Sequence, residues 1–177
     1  MERKKLSMDQ LHRISVQEFK DSEKTPIVLV LDNIRSMSNI GSMFRTADAF
    51  HLERLYLCGI TAQPPHREIN KTALGATESV DWQYSPTTID CVRKLKQENY
   101  KIIAVEQTEN SIFLQDYKEG KDRIALVFGN EVEGVDQEVI DMCDSVIEIP
   151  QFGTKHSFNV SVSCGIVLWE VVRQMKF

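Results

Sequence analysis

Apolar residues in this chain fall into short unbroken blocks, separated by stretches with helical periodicity. The block Ile27-Val28-Leu29-Val30-Leu31 follows Pro26 and ends at Asp32. A continuous apolar run of this length predicts a strand buried on both faces. Residues 55–58 (LYLC), 101–106 (KIIAVE), 124–129 (IALVFG) and 145–150 (SVIEIP) repeat the pattern. Helices are predicted between them. One spans 40–51, with Ile40, Met43, Phe44 and Ala47 on one side. Others span 66–76, 87–98 after Pro86, 134–143 and the apolar-rich tail 159–175. Near the start, Leu11, Ile14, Val16 and Phe19 give residues 7–20 near-helical spacing, with Ser7 as a plausible cap.

Alternation of short strands with amphipathic helices predicts an α/β fold: a mostly parallel sheet flanked by helices. Such sheets gather ligands at the carboxyl ends of their strands. The loops after residues 32, 58, 106, 129 and 150 are therefore the places to look. A chain of 177 residues, 42% apolar, can bury a core without disulfide or metal staples. We divide it into a helical extension, 1–24, and one α/β domain, 25–177.

No apolar run approaches 18 residues, which excludes a membrane-spanning helix. The opening MERKKLSMDQ has no apolar core of the secretory kind. Cys58, Cys91, Cys143 and Cys164 are scattered, with no CxxC or Cys/His cluster. They read as reduced thiols of a cytoplasmic protein. The four histidines share no ligand spacing, so no metal is expected. Net charge is −5, which by itself speaks against a nucleic-acid partner. The acidity is local, however. Residues 101–150 carry 4 basic and 12 acidic side chains, a net of −8. Arg35, Arg67, Lys71 and Lys155 lie outside that segment and could contact phosphates.

Three loops look unlike connectors. The first, Asp32 to Arg45, leads polar groups into a helix, with Asn39 placed to cap it and Arg45 on its second turn. In the second, Gly129 and Gly134 bracket Glu131 and Glu133 directly after a strand. This is neither GxGxxG nor GxxxxGK[ST], so it supports neither a dinucleotide fold nor a P-loop. The third runs from Ile149 to Ser163. There Ser157, Asn159, Ser161 and Ser163 alternate with bulky apolar groups at a helix start, beside Lys155 and His156. Four poor helix formers are more than a cap requires, which suggests a ligand. His156 beside Ser157 raises the question of a hydrolase, but neighbours seldom meet as base and nucleophile, and no GxSxG elbow is present.

Together NIGSMFRTADAF, LVFGNEVEGV and IEIPQFGTKHSFNVSVS resemble the three motifs of the SpoU (TrmH-like) RNA 2′-O-methyltransferases of the SPOUT superfamily, in the family's order. The resemblance runs from about Ile27 to Trp169. It implies an α/β domain whose C-terminal part is tied into a deep trefoil knot that holds S-adenosylmethionine. It implies that Glu106, Gly129, Ile149 and Phe158 line the cofactor pocket. It assigns Asn39 and Arg45 from the first motif, Glu131 from the second, and Ser157 and Asn159 from the third to the catalytic set. It further implies a homodimer whose sites lie near the interface, with tRNA or rRNA as substrate. A non-catalytic RNA-binding or assembly protein on the same fold is the alternative. The short, near-neutral start and the end just after the last helix carry no basic extension, so RNA selection is expected to rest on the core surface of the dimer. Val160, Val162, Ile166, Val167, Trp169 and Val171 give the terminal helix more apolar area than one core face needs, and the surplus is expected at the dimer interface.

Overall fold

A computed structural model describes residues 3–7, 9–118 and 122–177. Met1, Glu2 and Met8 of the helical extension lie outside the described residues. The predicted helix over 7–20 is shorter. A turn of 3-10 helix covers Asp9–Leu11, and α1 spans Val16–Asp21. Its cap is Ser15: the Ser15 hydroxyl accepts from the Glu18 amide, and the Glu18 carboxylate accepts from the Ser15 N–H. That S-x-x-E capping box fixes where the helix can start.

The first strand, β1 (Thr25–Asp32), is buried almost throughout. It is followed by α2 (Met37–Ala49), β2 (Leu52–Cys58), α3 (Arg67–Ala73), α4 (Ala76–Ser79) and β3 (Trp82–Ser85). Then come α5 (Thr88–Gln97), β4 (Lys101–Val105), β5 (Ile112–Phe113), β6 (Ile124–Phe128), α6 (Gln137–Ile140), β7 (Ser145–Glu148) and α7 (Val160–Lys176). Among the described residues seven strands form one sheet in the order β3-β2-β1-β6-β4-β7-β5, with every strand pairing parallel.

Side chains alternate along β1 and feed two cores. Ile27, Leu29 and Leu31 pack with Ile40, Met43 and Phe44 of α2 and with Val167, Leu168 and Val171 of α7. Val28 and Val30 face the opposite layer, with Val92 and Leu95 of α5 and Val139 of α6. Helices thus cover both faces, as a parallel sheet requires. Two edge strands escape the apolar-block rule. β3 (WQYS) mixes apolar with polar side chains and is only half buried, and β5, although apolar, is two exposed residues long, too short to stand out as a block.

Strand order places the interesting ends together. β6 lies between β1 and β4, and β7 lies between β4 and β5, although only residues 106–111 separate β4 from β5 in the chain. The carboxyl ends of β1, β4, β6 and β7 are therefore neighbours, and three of the four lead into the loops singled out above.

Candidate active site

The turn after β6 is built by local polar contacts. Asn130 and Gly134 exchange backbone hydrogen bonds of 3.1 and 3.0 Å. The Asn130 side-chain oxygen accepts from the amides of Val132 and Glu133, both at 2.9 Å. Gly134 has φ of +73°, and a Cβ there would lie 2.2 Å from Glu106 Oε2. A Cβ at Gly129 would lie 1.9 Å from the Gly134 carbonyl carbon. Both positions demand glycine, one for its backbone angle and both for close approach. Glu106, at the end of β4, clamps this turn. Its Oε2 accepts from the Val135 amide at 3.1 Å and its Oε1 from the Gln107 amide at 2.8 Å.

The first motif departs from the sequence expectation in one respect. Ser36, not Asn39, caps α2: its hydroxyl accepts from the Asn39 amide at 3.3 Å. Asn39 sits in the first turn, 8% exposed, with its side chain free for other work. Its Nδ2 donates to Glu131 Oε1 at 2.8 Å, and its Oδ1 accepts from Asn159 Nδ2 at 3.1 Å. Asn159 in turn caps α7, its Oδ1 accepting from the Ser161 amide at 2.9 Å and hydroxyl at 2.7 Å. One chain of amides and a carboxylate therefore joins the three motifs.

Glu131 also accepts weakly from the Arg35 and Ser36 amides, each at 3.4 Å, just ahead of α2. Burial pushes its pKa up, but hydrogen bonds from Asn39 and from the backbone amides of Glu131, Arg35 and Ser36 outweigh that and leave it below 4.5. It is a carboxylate held ionised by donors at a helix start.

A cleft of about 610 Å³ opens at these strand ends. Glu106, Gly129, Ile149 and Phe158 all line it, and so do Glu131, Ser157 and Asn159. Its size suits a ligand of nucleoside dimensions. Among the described residues four glutamates line it, Glu106, Glu131, Glu133 and Glu148, and no lysine or arginine does. Sequence reasoning missed Gln107, Asn130 and Gln151 in this lining. Asn130 was legible as a turn-forming Asn beside glycine, whereas nothing local marks Gln107.

Two assigned residues stand apart. Among the described residues Asn39 is not in the cleft lining and reaches it through Glu131 and Asn159. Arg45 is exposed on α2, is not among the residues lining the cleft, and makes no hydrogen bond or ion pair among the described residues. Six residues of helix turn its side chain by roughly 240° and carry it about 9 Å along the axis from Asn39. Ser157 is exposed and likewise makes no hydrogen bond among the described residues.

Comparison with known proteins places this geometry. The profile of the SpoU rRNA Methylase family matches residues 26–169. The 23S rRNA (guanosine-2'-O-)-methyltransferase RlmB of Neisseria meningitidis is 34% identical over 149 residues, covering 84% of this chain and 59% of that protein. The enzyme of the same name from Escherichia coli K12 is also 34% identical, over 84% of this chain and 60% of its own length. The chain thus spans about three fifths of these curated relatives. Among solved structures, the A. aeolicus TrmH/SpoU tRNA modifying enzyme superposes with a TM-score of 0.79 at 25% identity, over 90% of this chain and 80% of that one. The SpoU methyltransferase AviRb of Streptomyces viridochromogenes, solved with AdoMet, shares the fold with a TM-score of 0.78 at 21% identity, over 88% of this chain and 62% of that one. With the matched region containing all three loops that meet at the cleft, the chain belongs to the SpoU family.

Proposed function

We propose that this protein is an S-adenosylmethionine-dependent RNA 2′-O-methyltransferase acting on tRNA or rRNA in the cytoplasm. The single observation that carries the reading is the Glu131–Asn39–Asn159 chain, which ties the three motif loops together at the rim of one cleft. The relatives named above act on 23S rRNA or modify tRNA, by their names.

The cleft fits the cofactor chemically. Carboxylates around it, with no lysine or arginine in the lining among the described residues, favour a ligand bearing a sulfonium and an ammonium group. Glu106, Gly129, Ile149 and Phe158 would hold it. When bound, S-adenosylmethionine supplies an electrophilic methyl group with a neutral thioether as leaving group. The insertion of β7 between β4 and β5 supports the knotted C-terminal topology implied by the motifs.

The remaining residues position the acceptor. A ribose 2′-hydroxyl is a reluctant proton donor, so the developing alkoxide needs a nearby positive charge. Arg45 supplies it as a permanently charged guanidinium, and the proton passes to solvent. Glu131 is a poor base: its Oε1 accepts from Asn39, its Oε2 accepts weakly from the Arg35 amide, and its basicity is lowered. Its role is to hold Asn39, and through it Asn159. Ser157, free at the cleft wall, orients the ribose.

Arg45 reaches a cleft from the partner of a homodimer. The support is a stripe on α7, Val162 (49% exposed), Ile166 (36%) and Trp169 (53%), at i, i+4 and i+7. The opposite side of α7, Cys164, Val167, Leu168, Val171 and Val172, is already buried in its own chain. Exposed Arg35, Arg67, Lys71 and Lys155 follow the strand carboxyl ends and supply phosphate contacts. The test is to map ribose methylation in RNA from cells lacking this protein. A missing 2′-O-methyl in tRNA or rRNA, restored by wild type but not by Arg45→Ala, is expected. An unchanged methylation map would favour a non-catalytic RNA-binding protein.

A further inference from the structure

Residues 151–158 form one wall of the cleft, through Gln151, His156, Ser157 and Phe158. Every residue from Phe152 to Phe158 is exposed. Among the described residues this segment makes a single hydrogen bond, from Gln107 Nε2 to the His156 carbonyl at 2.9 Å. Its two ends are secured. β7 runs into it on one side, and on the other Asn159 is held by Asn39 while it caps α7. Nothing lies within 4 Å of a Cβ built at Gly153, so packing does not wedge the middle of the segment. A stretch with anchored ends, little burial and one hydrogen bond opens at low free energy.

The tether is itself anchored. Glu106 accepts from the Gln107 amide and, with its other oxygen, from the Val135 amide of the glycine turn. Two consecutive residues thus grip two of the loops that line the cleft.

We propose that Gln107 is a latch that keeps the 151–158 strap closed over the cleft and sets how long bound S-adenosylmethionine stays there. The residence-time part rests on the cofactor reading above; the latch itself does not. Gln107 lies in the cleft lining, and its part in the latch is that of a positioning residue that holds the strap.

The test uses the full chain with Gln107→Ala and Gln107→Met, the latter keeping side-chain length without the donor amide and without adding a charge to the cleft. Tryptic cleavage after Lys155, next to the tethered carbonyl, reads strap opening in the protein without cofactor. Dissociation of S-adenosylmethionine in a chase experiment reads residence time. Both rates are expected to rise about fivefold to tenfold, the ratio that loss of one hydrogen bond carries, while the melting temperature falls by no more than about 2–4 °C. Unchanged cleavage in both variants would overturn the latch. Faster cleavage with an unchanged dissociation rate would overturn its control of residence. Failure of the wild-type protein to bind S-adenosylmethionine would instead defeat the functional reading, and cleavage alone would then decide the latch.

Discussion

The side-chain amide of Asn39 faces polar groups 92 and 120 residues away in the sequence, and satisfies both. Replacing it with alanine leaves Glu131 and Asn159 each short of a partner. Asn39→Ala is expected to cost about 1–2 kcal/mol in denaturant unfolding and to reduce methyl transfer at least tenfold, because both loops lose their shared anchor. Ser36→Ala makes the contrast. Loss of the cap costs about 1 kcal/mol of stability, but Asn39 keeps both bonds and transfer stays within a few-fold of wild type. Equal activity losses in the two variants would remove Asn39 from its special role. Glu131 adds a pH signature. A carboxylate whose folded pKa lies below 4.5 stabilises the fold above that value and gives the contribution up as pH falls below it toward the folded pKa. Glu131→Gln is therefore expected to flatten the acid limb of the stability profile below pH 4.5, measured by urea titration across the range.

At the scale of elements, the strand ends and the turn after β6 decide the site. Gly134→Ala tests this: a side chain at φ of +73° is strained, and its Cβ would displace Glu106. The variant is expected to lose about 1–2 kcal/mol from the left-handed backbone alone and to bind S-adenosylmethionine at least tenfold more weakly by calorimetry. Much of this level was legible in the sequence. The apolar block of β1 and the amphipathic pattern of α5 each announced one element. The three loops stood out because glycine, asparagine and serine recur where connectors need few of them. What stayed hidden depends on distant partners. Ser36 and Asn39 are both good caps by type, and only the arrival of Glu131 from the turn after the neighbouring strand β6 decides which one caps. β3 and β5 take their strand character from the neighbours they pair with, since their own side chains are largely exposed. The Ser15–Glu18 box, by contrast, was present in the sequence and outcompetes Ser7 as a helix start. Gln107 carries no local signal at all; its importance comes from where strand order places the His156 carbonyl.

For the whole molecule, the exposed α7 stripe and the solvent-facing Arg45 make one joint claim about assembly. Trp169→Glu is expected to convert a dimer to a monomer in sedimentation, with a melting temperature little changed at low concentration and transfer lost. Subunit mixing checks the division of labour. Arg45→Ala and Ser157→Ala, each inactive alone, would recover about a quarter of wild-type activity when exchanged freely, because half the dimers then hold one intact site. The central claim, a methyl group passed to a ribose oxygen beside Arg45, is tested most directly with labelled S-adenosylmethionine and total RNA. Wild type should place label on ribose 2′-oxygens, and Arg45→Ala should bind the cofactor with unchanged affinity yet transfer almost none. Label on a base, or undiminished transfer by Arg45→Ala, would contradict the account.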